Sequence, residues 1–104
     1  MTPEDFRQAG HDLIDWIADY RSNLEQRPVR AQVNPGDIRQ SFPVSAPETP
    51  QSPEQLLNEL EQRVLPGLTL VQHPMHYGWF PSNASLASVL GDIASSGLGT
   101  LGIS

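Results

Sequence analysis

The side chains able to do chemistry crowd into one stretch, His73-Pro-Met-His-Tyr-Gly-Trp-Phe-Pro-Ser82. His73 and His76 are three residues apart, and His11 is far off in sequence. A metal site needs at least a third ligand at hand. The nearest acids in sequence, Glu61 and Asp92, stand at no recognisable ligand spacing. The pair therefore reads as packing or hydrogen-bonding imidazoles, with no metal. Ser82 has no neighbouring base to activate it as a nucleophile. Gly97-x-Gly99-x-x-Gly102 fits the dinucleotide pattern literally, but it follows a helix pattern rather than a strand, and no acidic residue comes after it. Trp79-Phe80-Pro81 is of another kind. Three rigid, mostly apolar residues in a bend, followed by the Ser82 hydroxyl at a helix N-terminus, can wall a flat ligand and orient it with one polar group. On the residues alone, an aromatic corner filling a core is the plainer explanation.

The bend needs elements to hold it. Pro81 pushes Phe80 to extended geometry. Ser82 or Asn83 is expected to cap a helix over 83–96, with Leu86, Val89, Leu90 and Ile93 at helical spacing and Gly97 at its left-handed end. Alanines and serines cover the rest of that helix, which fits close packing on several sides. Two amphipathic helices precede it. The first, about 3–26, opens on Thr2 and Pro3 and carries the stripe Phe6, Ala9, Leu13, Trp16, Ile17, Tyr20 and Leu24. Gly10 interrupts that helix and marks a close approach by a neighbour. The second, about 53–65, opens on Ser52-Pro-Glu-Gln55, a capping box. It buries Leu56, Leu57, Leu60 and Val64 and turns Glu54, Glu59, Glu61 and Arg63 to water. Pro66-Gly67 stops it, and Leu68, Leu70 and Val71 continue as an extended run. Between the helices, residues 28–51 form a strap whose prolines favour extended conformation. Asn34-Pro-Gly-Asp37 reads as a turn. Ile38 and Phe42 imply that the strap lies on a partner surface. The fold class is mainly α: three helices, a proline-rich strap and a glycine-rich tail.

Composition narrows the function. Net charge is −6, from 12 acidic and 6 basic residues, and every basic residue is arginine. An acidic chain with scattered arginines is a poor binder of phosphate backbones, which excludes nucleic acid. There is no cysteine, hence no disulfide framework. The acidic start Met1-Thr-Pro-Glu-Asp is no signal peptide, and no stretch approaches the roughly 18 apolar residues of a membrane span. A cytoplasmic location is the expectation. The 104 residues are enough for one small domain. The sequence stops at Ser104 inside an apolar, glycine-punctuated run, which reads as a cut end of a piece that packs on something else.

These residues together carry a resemblance. Phe6-Arg-Gln-Ala-Gly-His-Asp-Leu-Ile-Asp-Trp-Ile-Ala-Asp-Tyr20 resembles the opening helix of the group II pyridoxal-phosphate-dependent decarboxylases, in particular the aromatic-L-amino-acid decarboxylases. Val33-Asn-Pro-Gly-Asp37 resembles their linker motif, and Leu65-Pro-Gly-Leu-Thr69 the end of their second helix. His73-Pro74, Phe80-Pro-Ser-Asn-Ala-Ser85, Leu90-Gly-Asp92 and Leu101-Gly-Ile-Ser104 resemble the block that leads into the large domain. Their order and spacing make the match over essentially the whole length.

The resemblance implies a parent enzyme of fold-type I, an α/β homodimer binding pyridoxal 5'-phosphate on an internal lysine. It implies that residues 1–72 clasp the other subunit and that 73–104 lead into the large domain. It gives Trp79, Phe80, Pro81 and Ser82 the role of substrate wall, with Leu101 and Ile103 reaching toward the partner's pocket. Two departures bear on the substrate: Leu70-Val71 stands where the family often has His-Trp, and Trp79 where it commonly has Tyr. Schiff-base chemistry needs a lysine amine, and this sequence has none. The catalytic and cofactor-binding residues are therefore expected beyond residue 104. The same scaffold also serves aldehyde synthases and non-aromatic amino-acid decarboxylases. A stand-alone helical interaction module is the reading from another class.

Overall fold

A computed structural model describes residues 1–78 and 85–100. Among them there are four α-helices and no strand: α1 (Pro3–Ser22), α2 (Asp37–Ser41), α3 (Pro53–Glu59) and α4 (Leu86–Leu98). The mainly α class read from the sequence holds, with α2 as an addition.

Local chemistry sets the helix starts. The Thr2 hydroxyl accepts the Asp5 N–H at 3.1 Å and the Asp5 carboxylate accepts the Thr2 N–H at 3.2 Å, with Pro3 at the first helical position. Hydrogen bonds from the Thr2 side chain, and then its backbone, hold the Asp5 carboxyl below the usual carboxylate range. Ser52 and Gln55 repeat the box on α3 at 3.1 and 2.8 Å. The first helix ends earlier than its stripe: α1 stops at Ser22, and Leu24–Gln26 form a 3₁₀ turn that turns Leu24 into the core. Among the described residues no neighbour stands within 4 Å of a Cβ added at Gly10, so the close approach expected there is not made by them.

The strap is less extended than its prolines suggested. Pro35 and Gly36 occupy the centre of a type II turn, closed by Asp37 N–H donating to Asn34 O at 3.1 Å, and Gly36 takes φ +93°. The turn delivers the short helix α2. Ile38 and Phe42, expected to face a partner, also have neighbours on this same chain, and Phe42 stays exposed. Ile38 lies against Gly67, and the Arg63 guanidinium sits 5.6 Å over the Phe42 ring. A Cβ at Gly67 would stand 2.8 Å from Ile38 Cγ1. Gly67→Ala is therefore expected to cost about 1–3 kcal/mol of stability. Adding Ile38→Ala should relieve the clash, so that the double variant loses less than the sum of the two. Strict additivity in denaturant melts would contradict this docking.

The second helix is also modified. Beyond Glu59 it widens into a π turn, Leu60–Val64, in which Leu65 N–H reaches Leu60 O, and it closes as a 3₁₀ turn, Leu65–Gly67. Pro66 supplies the reason. It has no N–H to donate, and in a continued α-helix its ring would crowd the Gln62 carbonyl. Three apolar side chains are buried among the described residues, Leu24, Leu65 and Leu70, with Trp16 and Tyr20 packed against them. Phe6, Leu13 and Leu56 stay exposed, as does the apolar set Leu86, Leu90, Ile93 and Leu98 of α4. Accessible surface is 8684 Å² and the radius of gyration 16.4 Å, against about 5,800 Å² and about 13 Å for a compact chain of this size. The helices expose faces built for burial.

Candidate functional site

The wall expected from the sequence, Trp79, Phe80, Pro81 and Ser82, and the tail residues Leu101 and Ile103, lie outside the described residues. What the structure places is the approach on both sides. On the leading side, Leu70 N–H donates to Val29 O at 2.8 Å, His73 N–H to Leu70 O at 2.9 Å and His76 N–H to His73 O at 3.0 Å. The last two close successive tight turns from Leu70 to His76, whereas Leu68, at the start of the expected extended run, is extended. Leu70 is 5% exposed and His73 is 6% exposed. His73 Nδ1 accepts the Met75 N–H at 3.0 Å, so in the neutral ring the proton sits on Nε2, which is buried without a hydrogen-bond partner among the described residues. His73 is thus a hydrogen-bonding histidine of a turn. Among the described residues no group of three His, Cys, Asp or Glu side chains could hold a metal ion.

On the far side, the helix after the bend begins later than expected. Ser85, and neither Ser82 nor Asn83, is the cap: its hydroxyl accepts the Ser88 N–H at 3.1 Å. Three capping residue types stand close together there, and local preference does not separate them. The helix also runs through Gly97 to Leu98. Gly99, at φ +63°, takes the left-handed position expected of Gly97.

One polar constellation was missed by sequence reasoning. Glu61, expected to face water, accepts the indole N–H of Trp16 at 3.0 Å and the Arg27 guanidinium at 2.9 Å. Trp16 stacks on Tyr20 with ring centroids 5.5 Å apart and planes 3° from parallel, and the Arg27 guanidinium lies 5.5 Å from the centroid of the Tyr20 ring. Burial raises the Tyr20 phenol above its ordinary value, and the Arg21 and Arg27 charges pull it partly back. A signal was present: Glu61 is four residues after Leu57 and three before Val64, on the stripe rather than off it. The nearby groove between α1 and α3, about 450 Å³, is lined by Ala9, Leu13, Leu56, Leu57 and Leu60 with Asp12 at its edge.

A mainly helical piece with exposed apolar faces and a run of tight turns from Leu70 to His76 matches a class. Along its whole length the chain is similar to the N-terminal fifth of the plant aromatic-amino-acid decarboxylases, which are group II pyridoxal-phosphate decarboxylases. Among curated relatives, Tyrosine/DOPA decarboxylase 3 of Papaver somniferum is 43% identical over 102 residues, 98% of this chain and 19% of the relative. Phenylacetaldehyde synthase of Petunia hybrida is 41% identical over 104 residues, 100% of this chain and 21% of the relative. Among solved structures, the tryptophan decarboxylase of Catharanthus roseus in complex with L-tryptophan superposes with a TM-score of 0.90 at 34% identity, over 100% of this chain and 22% of that one. Oryza sativa TDC with PLP and tryptamine gives 0.91 at 31% identity, over 98% and 21%. The chain thus spans about one fifth of the length of the proteins it matches. No protein-family model matches it. No helix among the described residues is long and apolar enough to cross a membrane.

Proposed function

We propose that this chain is the N-terminal part of a cytoplasmic, pyridoxal-phosphate-dependent decarboxylase of aromatic L-amino acids, where it gives dimer contacts and part of the substrate pocket. The observation that carries the reading is the joint match of sequence and fold over 98–100% of the chain. The exposed faces of α1 and α3 support a clasp on a second subunit, and those of α4 support burial against the rest of the polypeptide. Trp79, Phe80, Pro81 and Ser82 form the wall for the substrate side chain, and Leu101 and Ile103 contribute to the partner's pocket. The cofactor's covalent anchor is not among these residues, because the sequence contains no lysine. No catalytic step is assigned to them; their work is to orient the substrate and exclude water.

A second reading has its own support, since the identity to a phenylacetaldehyde synthase, 41%, is nearly that to the tyrosine/DOPA decarboxylase, 43%. Product analysis separates them. The full-length protein, supplied with the cofactor, is incubated with L-tyrosine, L-DOPA, L-tryptophan and L-phenylalanine. The expected product is the amine together with CO2. Aldehyde in its place would make the protein a synthase, and turnover confined to non-aromatic amino acids would overturn the aromatic pocket.

A further inference from the structure

We propose that Glu61 is a positioning residue that fixes the turn run Leu70–His76 to the end of α1. Glu61 lies in the π turn that follows α3. There its two oxygens take donors from distant parts of the chain, Trp16 Nε1 at 3.0 Å and Arg27 Nη2 at 2.9 Å. Trp16 stacks on Tyr20 and Tyr20 receives Arg27, so the four side chains form a closed ring. Ordering any one of them lowers the cost of ordering the next.

Two routes lead from this ring to the run. One is backbone. Arg27 N–H donates to Leu24 O at 3.1 Å, and two residues further on Val29 O accepts Leu70 N–H at 2.8 Å. His73 N–H then donates to Leu70 O, and His76 N–H to His73 O. The other is packing, because Trp16 and Tyr20 rest on the cluster of Leu24, Leu65 and Leu70. Leu70 belongs to both. An isolated ion pair between side chains as accessible as Arg27 and Glu61, 31% and 38% exposed, would contribute little. The ring differs in that a single carboxylate ties together α1, the segment after it and the π turn.

Amide hydrogen exchange in the full-length protein tests this directly, because it reads local opening at named peptides. Glu61→Gln keeps an acceptor for Trp16 but cannot accept from Arg27 as a carboxylate does. It should speed exchange at Leu70 and His73 about three- to tenfold, the range left for charge-assisted hydrogen bonds after solvent screening. Exchange at Val89, in the first turn of α4, should not change. Arg27→Gln should give the same pattern, and the double variant should add nothing to either single one. Trp16→Phe keeps a ring on Tyr20 but removes the N–H, and it should give a weaker form of the pattern should Glu61→Gln not fold. Wild-type exchange at Leu70 and His73 in the folded variants, equal acceleration at Val89, or additive effects of Glu61→Gln and Arg27→Gln would each overturn the proposal.

Discussion

Leu65→Ala is expected to destabilise the full-length protein by about 2–5 kcal/mol. Leu65 is 8% exposed and meets Leu24 and Leu70, each 5% exposed, under the rings of Trp16 and Tyr20. So small a cluster joins the end of α1, the end of the second helix and the run that follows it. No other apolar side chain among the described residues is as fully enclosed, so few neighbours are available to collapse into the space left by the lost methyl groups. Urea unfolding would measure the loss. Val44→Ala, at a fully exposed position of the strap, should change stability by no more than about 0.5 kcal/mol. Leu65→Ala and Leu70→Ala together should depart from additivity, because the two residues share one cavity. A Leu65→Ala cost no larger than that of Val44→Ala would mean that this cluster does not hold the helices together.

What could be read from the sequence was local. Thr2 with Asp5 and Ser52 with Gln55 satisfy the free N–H groups of a first turn from three residues away, and such pairs are visible in the chain itself. The turn at Asn34-Pro-Gly-Asp37 was legible for the same reason. What was not legible depended on long-range partners or on a choice among equals. The partners of Glu61 are 45 and 34 residues away, and periodicity alone cannot distinguish a solvated glutamate from one that closes a ring. Ile38 and Phe42 were seen to need a cover, but nothing local says that Gly67 and Arg63 provide it. Ser85 competes with Ser82 and Asn83, and Gly99 with Gly97, at nearly equal local preference. The π turn arises where Pro66 meets a helix still held by Leu60 and Leu65, which a simple stop signal does not convey.

The site divides in the same way. Its chemistry is read from residue types and from the resemblance, and its approach from the structure. The succession of turns from Leu70 to His76 precedes, and the cap at Ser85 follows, the residues that the sequence reading assigns to the wall.

The most direct test of a pocket shared between subunits is complementation between two inactive full-length variants. One carries Ile103→Asp, which would set a charge in the proposed shared pocket. The other lacks the lysine proposed to anchor the cofactor; this sequence itself contains no lysine. Each homodimer should be inactive. Once mixed and exchanged, the heterodimers should hold one site with an intact lysine and an unaltered Ile103 from the opposite subunit. Random exchange should then restore about a quarter of wild-type activity, since about half the dimers are mixed and each has one working site of two. Recovery to that level is the result predicted. No recovery, with subunit exchange shown by mass and both variants folded, would contradict the account by confining Ile103 to its own subunit.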